Sequence, residues 1–126
     1  MKDQEEVFLI VDDEPDMCWA LKHILRKQGF ASKIALNGRE ALALIAKNCF
    51  RLVFLDAKLP DTDGLELARW IREVNPAIRI VLVSGYFYKD DMAIQKALEE
   101  GLICGFIDKP FCHDEIIKYI NIAPSL

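Results

Sequence analysis

The stretch LVFLDAKLPDTDG, residues 52–64, joins an uninterrupted apolar run to an aspartate and a series of turn residues. Four consecutive apolar residues, 52–55, are typical of a short strand that is buried on both faces of a parallel sheet. Asp56 follows the run and therefore lies at the carboxyl end of the predicted strand. Open α/β sheets bind their ligands outside the carboxyl ends of the strands, so we expect a reactive site around Asp56.

Length and composition indicate one globular domain. The chain has 126 residues, of which 52% are hydrophobic and 29% are charged, and we expect a single domain over residues 1–126 with its core at about 7–120. The apolar runs are too short to cross a membrane and the start of the chain lacks a secretory signal, which predicts a cytoplasmic protein without membrane contact. A net charge of −4, without a cluster of basic residues, predicts no nucleic-acid surface on this chain.

Strand-like and helix-like patterns alternate along the whole chain. Apolar runs predict strands at 7–11, 31–35, 52–55, 78–83 and 104–107, and apolar residues at helical spacing predict helices at about 15–28, 37–48, 64–74, 90–100 and 114–120. Such alternation is typical of right-handed crossovers between parallel strands, with helices on both faces of the sheet. The sequence therefore predicts a doubly wound (βα)5 α/β fold with a five-stranded parallel sheet in the flavodoxin-like order 2-1-3-4-5.

Polar residues at the ends of the predicted strands form one candidate site. Asp12 and Asp13 follow the first strand, Asp56 the third, Ser84 the fourth and Lys109 the fifth. Each residue taken singly is also an ordinary turn or cap residue, but together they share one edge of the sheet. Three crowded carboxylates favour a hard divalent cation, Mg²⁺ or Mn²⁺. Phosphoryl transfer needs a nucleophile, such a metal and a further cation or donor, and Asp56, Lys109 and Ser84 fit those roles.

Four motifs of this sequence resemble those of the receiver domain of two-component response regulators. They are VDDEP at 11–15, DAKLPDTDG at 56–64, Ser84-Gly85 and Lys109-Pro110, and the resemblance covers about residues 7–120. It implies that Asp56 accepts a phosphoryl group from a sensor histidine kinase or a phosphotransfer protein and signals to an output domain or a downstream protein. It also allows a homodimer that forms on phosphorylation. The implied role is that of a regulatory phosphoacceptor that assists its own phosphorylation and dephosphorylation, rather than an enzyme.

The resemblance also implies a ligand set for the metal. In such domains the carboxylates at the positions of Asp13 and Asp56 and the backbone carbonyl at the position of Lys58 coordinate Mg²⁺ directly, and Asp12 helps, partly through water. The positions of Ser84 and Lys109 contact phosphoryl oxygens after transfer.

A conformational switch is a further implication of the resemblance. The residue at the position of Ser84 moves toward the phosphoryl group, and the aromatic residue three positions before the lysine, here Phe106, turns inward. This motion changes the surface formed by the fourth helix, the fifth strand and the fifth helix. Phenylalanine replaces the commoner tyrosine and has no hydroxyl group.

Lys58 and Tyr86 lie two residues after Asp56 and Ser84, at positions that flank the phosphoryl group in similar domains. Our hypothesis is that Lys58 pairs with Asp56 or a neighbouring acid before phosphorylation and lies over the phosphoryl group afterwards, while the Tyr86 ring restricts water. A solvated loop lysine is the alternative interpretation.

Three other functions compete with this interpretation. A flavin or nucleotide carrier of this architecture needs a Ser/Thr/Gly-rich turn after the first strand, where this chain has DDEP at 12–15,. A small aspartyl-phosphate phosphohydrolase usually has its nucleophile on the first strand. The third alternative is a receiver-like docking module that works without phosphorylation. The six residues after Ile120 fit either a stand-alone domain or one cut from a longer regulator.

Overall fold

Strands and helices alternate strictly in the computed structural model, which describes residues 7–85 and 91–122. The strands are β1 (Val7–Val11), β2 (Ala31–Ala35), β3 (Leu52–Asp56), β4 (Ile80–Ser84) and β5 (Gly105–Asp108). The helices are α1 (Pro15–Lys27), α2 (Gly38–Lys47), α3 (Gly64–Val74), α4 (Met92–Glu99) and α5 (His113–Ile122). The strands form one parallel sheet in the order β2-β1-β3-β4-β5. This confirms the predicted doubly wound α/β fold.

Each face of the sheet packs against its own layer of helices. Side chains alternate across β3, where Val53 and Leu55 join one core cluster while Leu52 and Phe54 join the other. The first cluster contains the buried residues of α2, α3 and α4, and the second contains those of α1 and α5. All five residues of β3 are buried because helices cover both faces,. The central strands are therefore accessible at their ends, whereas the edge strand β2 also exposes Ala31 and Lys33.

Side-chain caps fix the beginnings of three helices. Asn37 accepts a hydrogen bond from the Glu40 N–H at the start of α2, and Asp91 accepts one from the Ala93 N–H at the start of α4. The helices predicted at about 37–48 and 90–100 begin at Gly38 and Met92, close to their predicted starts. Asp63 caps α3 in the same way. Such caps satisfy N–H groups that have no partner within the helix.

Some boundaries differ from the predicted ones. The strand predicted at 78–83 begins at Ile80, because the chain first makes a turn in which the Ile78 N–H donates to the Asn75 carbonyl. The strand then extends to Ser84, which pairs in register with Asp108 of β5. The last strand begins one residue later than predicted, and α5 is longer at both ends.

No helix in the described ranges, 7–85 and 91–122, combines the length and the apolar character that a bilayer crossing requires.

Candidate functional site

Three carboxylates meet at the carboxyl ends of β1 and β3. These strands are neighbours, with Val11 opposite Leu55, so Asp12 and Asp56 follow at the same level of the sheet. Asp12 and Asp56 are buried and Asp13 is exposed. One oxygen atom from each of the three carboxylates lies within 4.8 Å of the others. The structure therefore brings together the acidic residues that the sequence predicts at this edge.

Lys109 supplies the positive charge of the site. Its Nζ lies 3.0 Å from Asp12 Oδ2, 3.2 Å from Glu14 Oε1 and 3.4 Å from Asp56 Oδ1. The backbone positions the lysine, since the Lys109 N–H donates to the Ser84 carbonyl and so joins the ends of β4 and β5. One ammonium group thus lies among three acidic side chains, with its side chain 15% exposed.

Glu14 is a site residue that the sequence analysis missed. Besides the contact of its carboxylate with Lys109, its backbone N–H donates to Asp12 Oδ1 at 2.9 Å. The sequence feature that could have identified Glu14 is its position as the third consecutive acidic residue after the first strand. The contact between Glu14 and Lys109 depends on the order of the strands, in which β3 and β4 lie between β1 and β5. The local sequence around Glu14 does not encode this order.

Burial and charge give Asp56 an unusual protonation equilibrium. Desolvation and the neighbouring charge of Asp12 raise the pKa of Asp56 from 3.8 to about 6, against the opposing effects of Lys109 and of the Lys58 backbone N–H,. Desolvation alone would lower the pKa of Lys109, but its hydrogen bond to Asp12 and the charges of Asp12 and Asp56 outweigh burial and raise it. Lys109 is therefore charged at neutral pH. Asp56 is mostly ionised at that pH, and either a proton or a nearby cation would stabilise its buried carboxylate.

A cleft of about 480 Å³ opens above these side chains. Its lining consists of acidic, basic and loop residues: Asp13, Glu14, Asp56, Lys58, Leu59, Pro60, Gly85 and Lys109. Five of these eight residues have charged side chains, which suits a small charged ligand,. Asp56 is thus buried against the sheet and still reachable from the cleft.

Three other predicted site residues lie within the described part of the chain: Lys58, Ser84 and Phe106. Ser84 ends β4, one residue beyond the register partner of Asp56, and is fully buried. Phe106 lies in β5 and is 5% exposed, within the cluster that α2, α3 and α4 cover, so its ring already points inward. Lys58 is exposed and lines the cleft. Tyr86 lies outside the described residues.

The oxygen ligands of the site fit a small hard cation. Asp12, Asp13 and Asp56 each offer a carboxylate oxygen, and no histidine or cysteine of residues 7–85 and 91–122 joins them in this cluster. Mg²⁺ is bound in proteins by one or two carboxylates together with waters, and the open side of the cleft leaves room for those waters,. The donor set therefore suits Mg²⁺ better than Zn²⁺, which prefers nitrogen and sulfur ligands.

The comparison with known families decides the relationship. The family model described as "Response regulator receiver domain" matches residues 8–121. The chain belongs to this family. Sporulation initiation phosphotransferase F of Bacillus subtilis is similar to this receiver domain, with 35% identity over 111 residues that cover 88% of this chain and 87% of the relative. The nitrogen assimilation regulatory protein NtrX of Azorhizobium caulinodans is 36% identical over 111 residues, 86% of this chain, but this receiver domain covers just 24% of its length.

Solved structures agree with the family assignment. The crystal structure of a CheY-like receiver domain protein from Methanospirillum hungatei has a TM-score of 0.85 at 28% identity, covering 94% of this chain and 92% of the other. The response regulator TrrA of Thermotoga maritima, solved in complex with Mg²⁺ and BeF, has a TM-score of 0.81 at 29% identity, covering 94% of this chain and 99% of the other. Receiver domains bind Mg²⁺ at an acidic pocket, and this chain has such a pocket at Asp12, Asp13 and Asp56.

Proposed function

We propose that this receiver domain is a phosphorylation-dependent switch in which Asp56 accepts the phosphoryl group. The observation that carries the proposal is the position of Asp56 at the base of the acidic cleft, with the Lys109 ammonium 3.4 Å from its carboxylate. A carboxylate with a positive neighbour and an open side can attack phosphorus. We take residues 1–126 as one such domain.

The chemical step requires little from the protein beyond placement of charge. One oxygen of Asp56 forms the new P–O bond while the bond between phosphorus and the leaving group of the donor breaks. Asp12, Asp13, Asp56 and the Lys58 carbonyl would hold Mg²⁺, which supplies positive charge to the phosphoryl oxygens when it is bound. Lys109 then leaves Asp56 and contacts a phosphoryl oxygen, and the Ser84 hydroxyl donates to another.

The proposed signal leaves through the surface of α4, β5 and α5. Ser84 ends the strand beside β5, and its carbonyl accepts the Lys109 N–H, so a movement of Ser84 acts directly on the end of β5. Phe106 lies in that strand, and we propose it as a switch residue. The proposed donor is a sensor histidine kinase or a phosphotransfer protein in the cytoplasm. The proposed receiver of the signal is an output domain, a downstream protein or a second copy of the domain.

Incubation with a small phosphodonor and Mg²⁺, followed by intact mass measurement, tests the proposal. We expect wild type to gain one phosphoryl mass and Asp56→Asn to gain none. Asp108→Asn is the matched control, because Asp108 also ends a strand but is exposed and lies outside the acidic cluster. If wild type gains no mass where a related receiver does, the proposal fails and the phosphorylation-independent docking module becomes the better interpretation. Continuous consumption of donor without a stable mass gain would instead favour a phosphohydrolase.

Lys58 and Tyr86 are proposed to set how long the phosphoryl group persists. Lys58 lines the cleft beside Asp56, which places a second cation within reach of a phosphoryl group there. We expect the aspartyl phosphate to be lost faster from a Lys58→Ala, Tyr86→Ala double variant than from wild type, as followed by the decay of the added mass after removal of donor. An equal or slower decay in the double variant would refute this role.

A further inference from the structure

The loop between β3 and α3 is held at its outer end by a residue that belongs to neither the acidic cluster nor the cleft. Asp61 Oδ1 accepts the Gly38 N–H at 2.9 Å and Asp61 Oδ2 accepts the Arg39 N–H at 3.1 Å. These N–H groups belong to the first turn of α2 and have no acceptor within that helix. Asp61 therefore ties the loop after β3 to a helix that begins 23 residues earlier in the chain.

Close packing accompanies the tie. A Cβ atom at Gly38 would lie 2.8 Å from Thr62 Cγ2 and 3.3 Å from Asp61 Oδ1. The loop thus approaches α2 so closely that a side chain at position 38 would require the Thr62 side chain to shift. Two adjacent loop residues, Asp61 and Thr62, thus pack directly against Gly38.

The start of α2 does not depend on Asp61. Asn37 already caps the helix by accepting the Glu40 N–H at 2.9 Å, and the Glu40 carboxylate in turn accepts the Leu36 N–H. A helix with its own cap needs no second acceptor from a distant loop in order to begin. The bonds from Asp61 therefore matter more for the loop than for the helix.

The loop transmits this restraint to the cleft. The Leu59 N–H donates to the Thr62 carbonyl at 3.0 Å, and the Gly64 N–H donates to the Ala57 carbonyl at 2.7 Å. The Leu59 side chain is buried as well. Lys58 lies inside this closed loop, two residues after Asp56. Displacement of the outer end would consequently move the Lys58 backbone.

Charge favours the same arrangement. Hydrogen bonding from the Gly38 N–H, with a further contribution from the Arg39 N–H, lowers the pKa of Asp61. A carboxylate at the N-terminal end of a helix is also stabilised by the helix dipole. Asp61 is consequently charged, and both of its oxygens accept, throughout the neutral pH range.

We propose that Asp61 is a positioning residue for the cleft: its two hydrogen bonds to α2 hold the loop at 57–63 so that the Lys58 backbone stands where Mg²⁺ binding needs it. The proposal rests on the function proposed above, since that function makes the Lys58 carbonyl a metal ligand. Asp61 does not line the cleft, so it would act through the loop and not by direct contact with the metal or the phosphoryl group.

Mg²⁺ affinity, measured by calorimetric titration of the full chain, tests the role of Asp61. Residues that orient metal ligands typically change affinity by about tenfold or more, and we expect Asp61→Ala to weaken Mg²⁺ binding on the order of tenfold. Asp61→Asn keeps one carbonyl oxygen for the Gly38 N–H and should recover part of that loss. Gly38→Ala should also weaken binding, although alanine is the better helix former, because it pushes Thr62 away,.

Asn37→Ala is the matched control, because it removes a cap from the same helix end but leaves the tie to the loop. We expect it to lower the melting temperature as Asp61→Ala does, with Mg²⁺ affinity unchanged. Equal losses of affinity in Asn37→Ala and Asp61→Ala would overturn the proposal, because the stability of α2 would then explain both.

Two further outcomes separate this proposal from the function on which it rests. If wild type binds Mg²⁺ and accepts a phosphoryl group while Asp61→Ala binds Mg²⁺ as tightly as wild type, the role of Asp61 is wrong and the proposed function stands. If wild type binds no Mg²⁺ and gains no phosphoryl mass, the proposed function and the role of Asp61 both fail.

Discussion

The two ends of the β3–α3 loop place their aspartates in opposite surroundings. Asp56, at the inner end, is 5% exposed and shares its site with Asp12, so the pKa of its carboxyl group is raised to about 6. Asp61, at the outer end, is exposed and accepts two N–H groups of α2, so its pKa is lowered. The aspartate at the inner end thus has a raised pKa, whereas the aspartate five positions later has a lowered pKa and joins the loop to α2.

Gly64 and Gly38 show that the two ends of the loop also differ in packing. A Cβ atom at Gly64 would lie 2.5 Å from the Asp56 carbonyl oxygen and 2.8 Å from Ala57 Cα, which are backbone atoms of the strand end. A Cβ atom at Gly38 would meet the Thr62 side chain at the outer end. Backbone at the end of a buried strand cannot move aside, whereas a loop side chain can, so the inner end should tolerate far less change.

Gly64→Ala therefore has the largest expected effect. We expect the free energy of unfolding to fall by about 3 kcal/mol, because overpacking against backbone forces the strand end and α3 apart. Chemical denaturation measures the change. Gly38→Ala should cost clearly less, and Gly85→Ala, whose new Cβ would lie 3.7 Å from Lys109 Cβ, should cost least. A smaller loss in Gly64→Ala than in Gly38→Ala would contradict the contrast between the two ends.

Asp56→Asn should stabilise the protein, since a charge that is costly to bury is removed. A pKa raised from 3.8 to about 6 corresponds to at most about 3 kcal/mol at neutral pH without metal. The folded state holds this proton more tightly than the unfolded state, so acidification relieves the cost in wild type. The advantage of Asp56→Asn over wild type should therefore shrink as the pH falls below about 6 and vanish near 3.8. Denaturation with a chelator present measures it, and a constant advantage across that range would refute the explanation.

Lys109→Met should lower the free energy of unfolding by about 2 kcal/mol, because it removes the ammonium group that contacts Asp12 and Asp56 while retaining most of the apolar stem,. The loss stays moderate because Asp56 can take up a proton. Lys96→Met is the control, since Lys96 is exposed and its contact with Glu100 spans 4.0 Å, and exposed pairs contribute little. Equal unfolding energies for Lys109→Met and wild type at pH 7 would show that the ammonium group does not offset the carboxylates.

The inner end of the loop is largely predictable from the sequence. Apolar runs of strand length locate β1 and β3, and parallel strands end at one edge, so Asp12 and Asp56 must lie close together,. Local signals of this kind depend on a few neighbouring residues. The same logic correctly places Lys109 at this edge and Asn37 at a helix start.

The outer end is not predictable in the same way. Whether Asp61 reaches the Gly38 and Arg39 N–H groups depends on how closely α2 and α3 pack over the sheet, which no local pattern encodes. The contact of Glu14 with Lys109 has the same origin, because 95 residues separate the two in sequence. Contacts between side chains and distant segments of the chain therefore cannot be predicted from periodicity and spacing.

The two aspartates can also be compared directly by titration, where the expected changes are smallest. Carboxyl carbon NMR of the metal-free protein should show Asp56 titrating near pH 6 and Asp61 below its ordinary value. A lowered pKa means that the folded state holds the proton less tightly than the unfolded state, so Asp61 stabilises the fold above its unfolded pKa, and this contribution disappears only as the pH falls through its folded pKa. At pH 5, where Asp56 is mostly protonated, the destabilisation caused by Asp61→Ala should hence remain as large as at pH 7. An Asp61 carboxyl group that titrates together with Asp56, or an Asp61→Ala effect that is already lost at pH 5, would mean that the outer end is no anchor.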